Sequence, residues 1–92
     1  MIVRFRHAGL EQFFKTGSAT QVQLAHRSRL KLVLTALNTA QQPRDMGLPG
    51  LDLHPLKGEL LGFWSVSVSG NWRVIFRFEG SNVSDIAYLD YH

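Results

Sequence analysis

The sequence predicts a two-layer α+β domain in which two helices pack on one face of a mainly antiparallel sheet. The first forty residues carry apolar side chains at the spacing of amphipathic helices, and residues 64–78 alternate with the period of a β-hairpin. The predicted order β-α-α-β-β-β places both helices in one layer. With 92 residues and 45% hydrophobic content, residues 1–92 are expected to form a single domain with one modest core.

The chain is predicted to begin with a strand followed by a short helix. Residues 1–7 fit a strand in which Val3 and Phe5 lie on the same face. Residues 8–15 have apolar side chains at i, i+3 and i+4, which indicates an amphipathic helix. Gly17 is the expected end of this helix, since glycine readily adopts the left-handed conformation of a helix C-cap.

A longer second helix is predicted from a capping box formed by Ser18 and Gln21 and is expected to run to about Ala40. The loop that follows, residues 41–50, contains two prolines and two glycines. Residues 51–57 alternate in polarity, but Pro55 lacks an amide donor and restricts this stretch to an edge strand or a loop.

The hairpin at residues 64–78 has the clearest pattern in the chain. A register with Val66 beside Val74 keeps the apolar side chains on one face and leaves residues 69–71 as a three-residue loop. Positive φ is expected at Gly70 or Asn71. The opposite face of the hairpin carries arginines.

A turn at residues 79–82 and a last strand at residues 83–89 complete the predicted sheet. The hairpin side chains expected in the core are Val66, Val68, Trp72, Val74 and Phe76. Their expected partners on the helices are Leu10, Phe13, Leu30, Val33 and Leu37.

Positive charge is concentrated in the first third of the chain. Six basic side chains and one acidic side chain give residues 1–31 a charge of +5, whereas residues 32–92 carry −2. This asymmetry suggests a polyanion or an acidic protein partner, and it fits a basic, solvent-exposed helix equally well.

The sequence contains no cysteine, no bilayer-spanning apolar run and no secretory signal. We therefore expect a cytoplasmic protein with no membrane association.

Four short segments have a pattern that composition alone does not explain. They are residues 53–58 (LHPLKG), 62–66 (GFWSV), 71–76 (NWRVIF) and 90–92 (DYH). Together and in this order they resemble the HigB toxins of the RelE-like superfamily of bacterial toxin–antitoxin systems. The resemblance includes the N-terminal strand and first helix, and it is weakest in the second helix and in residues 41–50.

The resemblance implies a ribosome-dependent endonuclease that cuts mRNA codons in the decoding site of the 70S ribosome, without a cofactor. It also implies a HigA-like antitoxin with a helix-turn-helix fold. The catalytic residues that it implies are His54, Lys57, Arg73, Asp90, Tyr91 and His92. Lys57, Asn71 and Arg73 would contact the mRNA. From the charge distribution, we expect Arg4, Arg6, Arg27 and Lys31 to help bind ribosomal RNA.

These residue types suit RNA cleavage without a metal. Histidines titrate near neutral pH and serve as general base and acid, while Lys57 and Arg73 supply positive charge at the phosphate. Whether His54 or His92 is the base stays open. Each residue also has a simpler explanation, since strand arginines are usually solvated and a histidine before a proline often caps a turn. The alternative function is a non-catalytic module that binds RNA, the ribosome or another protein on the same scaffold.

Overall fold

The computed structural model describes residues 1–90, and its described part contains two α-helices and a four-stranded antiparallel sheet. The helices are α1 (Ala8–Thr16) and α2 (Arg27–Thr39). The strands are β1 (His54–Pro55), β2 (Trp64–Ser69), β3 (Trp72–Glu79) and β4 (Asn82–Asp90), and they lie side by side in chain order. The predicted α+β class is confirmed, as is the position of Pro55 in an edge strand. No helix in residues 1–90 has the length and apolar content needed to cross a membrane.

Helix α1 is capped at both ends by residues near the predicted bounds. The His7 ring accepts a hydrogen bond through Nδ1 from the Leu10 amide at 2.9 Å. Gly17 adopts φ +79° and donates its amide hydrogen to the Phe13 carbonyl, 2.9 Å away. Gly17 therefore ends the helix as predicted.

Helix α2 begins at Arg27, so the predicted start at Ser18 is wrong. The Ser18 amide donates to the Thr16 hydroxyl at 3.2 Å, and residues 18–23 form a loop with a turn and a bend at residues 20–22. This loop crosses α1 closely, because a Cβ atom added to Gly9 would lie 2.3 Å from Cβ of Gln21. The tertiary contact takes precedence over the local capping pattern. The side chains of α2 that were expected in the core (Leu30, Val33 and Leu37) are buried, and so is Leu34.

The hairpin has the predicted register away from its turn and a different turn. Val66 pairs with Val74, and Trp64 pairs with Phe76, as predicted. At the tip, however, Ser69 pairs with Trp72, which leaves a two-residue turn at residues 70–71. The register shifts between Ser67 and Ser69, so Val68 forms a β-bulge, and Ser69, which was assigned to the loop, belongs to the paired strand. Gly70 has φ +56°, one of the two positions at which positive φ was expected.

The N-terminal segment, residues 1–7, lies parallel to β4 but is not a continuous strand. Two isolated bridges join Ile2 to Val83 and Phe5 to Ile86. Both Ile2 and Phe5 pack against the core, whereas Val3 is 47% exposed. The predicted face shared by Val3 and Phe5 is therefore wrong, because the segment contacts the sheet at every third residue rather than every second.

The main core lies between the helices and the sheet and contains the predicted side chains. Phe76 is fully buried, but Trp72 is only partly buried because it lies at the edge of the cluster. The sequence did not indicate a second, smaller cluster on the other face of the sheet. It comprises Leu56, Phe63 and Ile75, packed by Leu60, Ala87 and Leu89.

Candidate active site

The sheet face away from the helices brings His54 and Arg73 to one surface. We call it the outer face and define it by Ser65, Arg73, Ile75 and Arg77. His54 pairs with Ser65, and Ser65 pairs with Ile75, so these side chains share this face. The Cα atoms of His54 and Arg73 lie two strands apart across the sheet and two residues apart along the strand direction. Their separation is therefore roughly 12 Å. A phosphodiester fits between side chains at that distance.

Arg73 lies on the outer face between β2 and β4, beside Ser67 and Leu89. Its Nη1 donates to the carbonyl of Gly70 at 3.1 Å and to the carbonyl of Trp72 at 3.3 Å. Within residues 1–90, no carboxylate forms an ion pair with this guanidinium. Arg73 thus keeps its charge and most of its donors for an anionic ligand.

Arg77, on the same strand and face, has carboxylate partners. Its Nε donates to Asp85 and its Nη2 to Glu79, each at 2.6 Å. The N-terminal segment joins this network, since Arg4 lies 3.4 Å from Glu79 and Arg6 lies 3.8 Å from Asp85. The network therefore attaches residues 1–7 to the sheet.

The pKa of Asp85 reflects this environment. Burial alone would raise the pKa of its carboxyl group, but hydrogen bonds from Arg77 and Ser84 outweigh burial and lower it. Asp85 also has φ +54°, at the β-bulge where the pairing of β3 with β4 shifts. This contrast separates the two strand arginines: Arg77 is paired with carboxylates, whereas Arg73 has no carboxylate partner within residues 1–90.

The ring of His54 is held in a defined tautomer. Its Nδ1 lies 3.0 Å from the carbonyl oxygen of Asp52. Because a carbonyl only accepts, Nδ1 carries the proton in this contact, and in the neutral ring Nε2 is the free base. Asp52 itself has φ +51°, which directs the backbone turn that brings its carbonyl to the ring. His54 is half-buried, and this contact leaves Nε2 as the unprotonated nitrogen of the neutral ring.

Ser65, the partner of His54 in the sheet, was not among the site residues predicted from the sequence. The residue is 1% exposed, and its hydroxyl has no hydrogen-bond partner in the described part of the chain. Its alternation with Trp64 and Val66 placed it on the outer face, but only the pairing of β1 with β2 shows that it adjoins His54. A buried hydroxyl beside a candidate base is a polar group that the sequence pattern could not identify.

The remaining predicted catalytic residues and Asn71, which was predicted to bind RNA, are less closely grouped. Lys57 is exposed at the start of the 3₁₀ helix Gly58–Leu60, and Asn71 is exposed in the hairpin turn. Asp90 reaches the same end of the sheet as Arg73. However, Asp90 pairs with Trp72, on the helix side, whereas Leu89 pairs with Arg73. Tyr91 and His92 lie outside the described residues. Among residues 1–90, no three histidine or acidic side chains are grouped as metal ligands.

The four basic residues predicted to bind RNA fall on two separate surfaces. Arg4 and Arg6 lie at the N-terminal segment, in the network with Glu79 and Asp85. Arg27 and Lys31 lie on α2, in the layer on the other side of the sheet from Arg73. The structure therefore does not bring all four to the outer face.

Comparison with known proteins agrees with this architecture. The family model described as the RelE-like toxin of type II toxin–antitoxin system HigB matches residues 3–92. The chain is also 36% identical to endoribonuclease HigB of Proteus vulgaris over 92 residues, which is the full length of both proteins. A match over nearly the whole chain and a full-length relative at this identity indicate the same family. The chain belongs to the RelE-like HigB toxins of type II toxin–antitoxin systems.

Proposed function

We propose that this toxin is an endoribonuclease that cleaves mRNA in the decoding site of the ribosome and thereby inhibits translation and growth. The observation that carries this proposal is Arg73, a guanidinium with no carboxylate partner in residues 1–90, on the same sheet face as the candidate base His54. The name of the relative from Proteus vulgaris, an endoribonuclease, supports the same activity.

The proposed reaction needs no metal ion. The ribose 2′-hydroxyl gives its proton to Nε2 of His54, and the resulting oxygen attacks the adjacent phosphorus. The bond to the 5′-oxygen breaks, and an acid returns a proton to that oxygen. The products are one fragment ending in a 2′,3′-cyclic phosphate and another beginning with a 5′-hydroxyl.

Positive charge is expected to contribute most to the rate. Arg73 binds the non-bridging phosphate oxygens, which gain charge as the phosphorus becomes five-coordinate. Lys57 adds a second, mobile charge. His92 is the proposed acid, and Asp90 and Tyr91 assist proton transfer or stack on a base. Asn71, in the turn next to Arg73, is proposed to contact the mRNA.

The proposed partners are the 70S ribosome with its mRNA and a HigA-like helix-turn-helix antitoxin. Family membership implies an antitoxin, and the helix-turn-helix fold is the finer proposal. Arg4 and Arg6 retain about half of their side-chain exposure in the network, so they still have surface available for ribosomal RNA. Because ribosomes are the proposed site of action, the protein would act in the cytoplasm.

The test is single-turnover cleavage of a 5′-labelled mRNA on programmed 70S ribosomes, with the same mRNA free in solution as the control. We expect cleavage on the ribosome that yields 5′-hydroxyl and 2′,3′-cyclic phosphate ends. Deletion of His92 should slow cleavage strongly while leaving ribosome binding intact. Fragments with 5′-phosphate ends would contradict the 2′-hydroxyl mechanism. Salt-sensitive binding without any cut ends would favour the non-catalytic binding module.

A further inference from the structure

Four ring side chains meet on the helix side of the sheet, behind the hairpin tip that carries Arg73. They are His7, His26, Trp72 and Tyr88, and we call them the ring cluster. Each comes from a different part of the chain: His7 caps α1, His26 precedes α2, Trp72 begins β3 and Tyr88 lies in β4. The ring cluster therefore joins the helix layer to the end of the sheet that holds Arg73.

Tyr88 is the centre of the ring cluster. Its ring centroid lies 4.7 Å from that of Trp72, 5.6 Å from that of His7 and 6.0 Å from that of His26. His26 also contacts Trp72 edge-on, with the two centroids 5.6 Å apart. Tyr88 and His26 are 5% and 6% exposed, so a hydrogen bond between them lies in a low-dielectric environment, where it is stronger than in water.

The direction of the hydrogen bond between Tyr88 and His26 follows from their surroundings. Within residues 1–90, the Tyr88 hydroxyl lies 2.7 Å from Nδ1 of His26 and accepts a hydrogen bond from the Gln23 amide at 3.4 Å. Burial raises the pKa of the Tyr88 hydroxyl, which therefore keeps its proton. Because an amide nitrogen only donates, the hydroxyl proton goes to Nδ1 of His26. This bond ties β4 to the residue that precedes α2.

The hairpin tip gains from such an anchor because its pairing within the sheet is irregular. The register of β2 with β3 shifts between Ser67 and Ser69, and Ser69 then pairs with Trp72. Arg73, the next residue, donates through Nη1 to the carbonyls of Gly70 and Trp72. A displacement of Trp72 would therefore move the backbone of Arg73 and also an acceptor that orients its guanidinium.

We propose that His26 and Tyr88 are positioning residues for RNA cleavage, since their hydrogen bond holds Trp72 in place and thereby orients Arg73. Both side chains are buried, and Tyr88 belongs to the core on the helix side of the sheet, so they act through Trp72 and not by contact with RNA. A misplacement of about 1 Å in a reacting group can cost roughly 10²-fold in rate. This inference rests on the proposed function, with Arg73 as the ligand of the phosphate.

The test compares variants of the full-length toxin in single-turnover cleavage of a 5′-labelled mRNA on programmed 70S ribosomes. Tyr88→Phe removes only the hydroxyl and leaves a ring on Trp72, whereas His26→Leu removes the acceptor. The matched control is Ile86→Val, which removes one carbon from a fully buried side chain of the same strand. Loss of one hydrogen bond and loss of one buried carbon destabilise proteins by similar amounts, so this control separates positioning from stability.

We expect Tyr88→Phe and His26→Leu each to cut roughly tenfold more slowly at saturating toxin, with the same toxin concentration giving half-saturation of the ribosome. The double variant should be no slower than the single variants, because each removes the same hydrogen bond. In an Arg73→Ala background, Tyr88→Phe should slow cleavage less than twofold, because the group that it positions is absent. Ile86→Val should lower the melting temperature about as much as Tyr88→Phe does and keep the wild-type rate.

A second measurement follows Arg73 itself. In ¹⁵N NMR spectra of the free toxin, the signal of the Arg73 side-chain Nε–H should shift in Tyr88→Phe and stay in place in Ile86→Val. Should His26→Leu fail to fold, Tyr88→Phe decides the question through this signal and through the Arg73→Ala background.

Three results would overturn the inference. They are wild-type cleavage by Tyr88→Phe, equal rate losses in Tyr88→Phe and Ile86→Val, and a Tyr88→Phe loss of the same size with and without Arg73. The last result would show that the hydroxyl acts through another group. If the wild-type toxin cuts no mRNA, the proposed function fails and the inference fails with it, whereas a wild type that cuts beside a full-rate Tyr88→Phe removes only the positioning role.

Discussion

Arg73 and Arg77 allow chemistry and stability to be separated on a single strand. They are the same residue type, on the same face of β3, four positions and therefore about 13 Å apart. Arg73 donates only to backbone carbonyls within residues 1–90, whereas Arg77 is paired with Asp85 and Glu79. Arg73→Ala should therefore lose cleavage and keep stability, and Arg77→Ala should do the reverse.

The magnitudes follow from these contacts. Removing a charged group that stabilises the transition state costs about 10²- to 10³-fold in rate, so Arg73→Ala should cut mRNA at roughly one hundredth of the normal rate or less. Its surface hydrogen bonds should contribute less than about 0.5 kcal/mol to the free energy of unfolding. The cleavage rate of Arg73→Lys should lie between those of the wild type and Arg73→Ala. Lysine keeps the positive charge but lacks the planar fork of the guanidinium.

The effect of Arg77→Ala should be on stability. The side chain of Asp85 is 14% exposed, and without Arg77 it keeps Ser84 and a 3.8 Å contact with Arg6. Since Arg77 itself is 37% exposed, we expect the free energy of unfolding to fall by about 1–2 kcal/mol. This is less than the full cost of leaving a buried polar group without a hydrogen-bond partner. In a domain of this size that lowers the melting temperature by roughly 5–15 °C.

The assay is single-turnover cleavage with toxin in excess over programmed ribosomes, run below the melting temperature of every variant. Excess toxin makes the measured rate insensitive to differences in ribosome affinity. Cleavage by Arg73→Ala at more than about a tenth of the normal rate would refute the assignment of the phosphate site. A rate loss for folded Arg77→Ala equal to that of Arg73→Ala would show that the outer face does not distinguish the two arginines.

Three further predictions concern the fold. Phe76→Ala, at a fully buried position, should lower the free energy of unfolding by about 3–5 kcal/mol in urea titrations; a loss below 1 kcal/mol would mean that the core is misplaced. Gly9→Ala should lower the melting temperature, because the added Cβ atom would collide with Gln21. This loss is expected even though alanine favours a helix over glycine by about 1 kcal/mol. Adding Gln21→Gly should restore part of the lost stability. Asp85 has a lowered pKa, so its contribution to stability is present above its ordinary value of 3.8 and is lost as the pH falls through the folded pKa. Unfolding free energies from pH 7 to pH 3 should therefore fall more steeply for the wild type than for Asp85→Asn, and parallel curves would contradict the network.

The sequence predicted those parts of the fold in which local pattern and tertiary packing agree. The register of Val66 with Val74 followed from keeping apolar side chains on one face. The type of turn could not be predicted in the same way, because a three-residue loop and a two-residue turn with a bulge leave the apolar side chains on the same face. The start of α2 also escaped prediction, since the close contact of Gly9 with Gln21 joins residues twelve positions apart.

The pairing of β4 with the N-terminal segment is reflected in a sequence spacing of three, which a search for alternating residues does not detect. Val83 and Ile86 are both fully buried although they are three residues apart, which requires the bulge at Asp85. Ile2 and Phe5 have the same spacing and pair with them. Matching intervals of three in the two segments would have predicted both the bulge and the pairing.

The candidate site was predicted by residue type and only in part by position. Alternation placed Arg73 on the outer face, and the structure adds that it has no carboxylate partner in residues 1–90. The tautomer of His54 depends on the carbonyl of Asp52, which no side-chain pattern encodes. The network of Arg77 with Asp85 requires the β3–β4 pairing and could not be distinguished from ordinary solvated charges.

The pairing of the N-terminal segment with β4 has a consequence for how the protein is made. Ile2 leaves the ribosome first, but its partner Val83 is added about eighty residues later, roughly 4–16 s at ordinary rates of translation. Such distant contacts also slow folding, since a long loop must close before they form. Leu89 of β4 borders Arg73, so the outer face stays incomplete while residues 82–90 are still within the ribosome. A nascent chain therefore lacks the assembled outer face until residues 82–90 have left the ribosome.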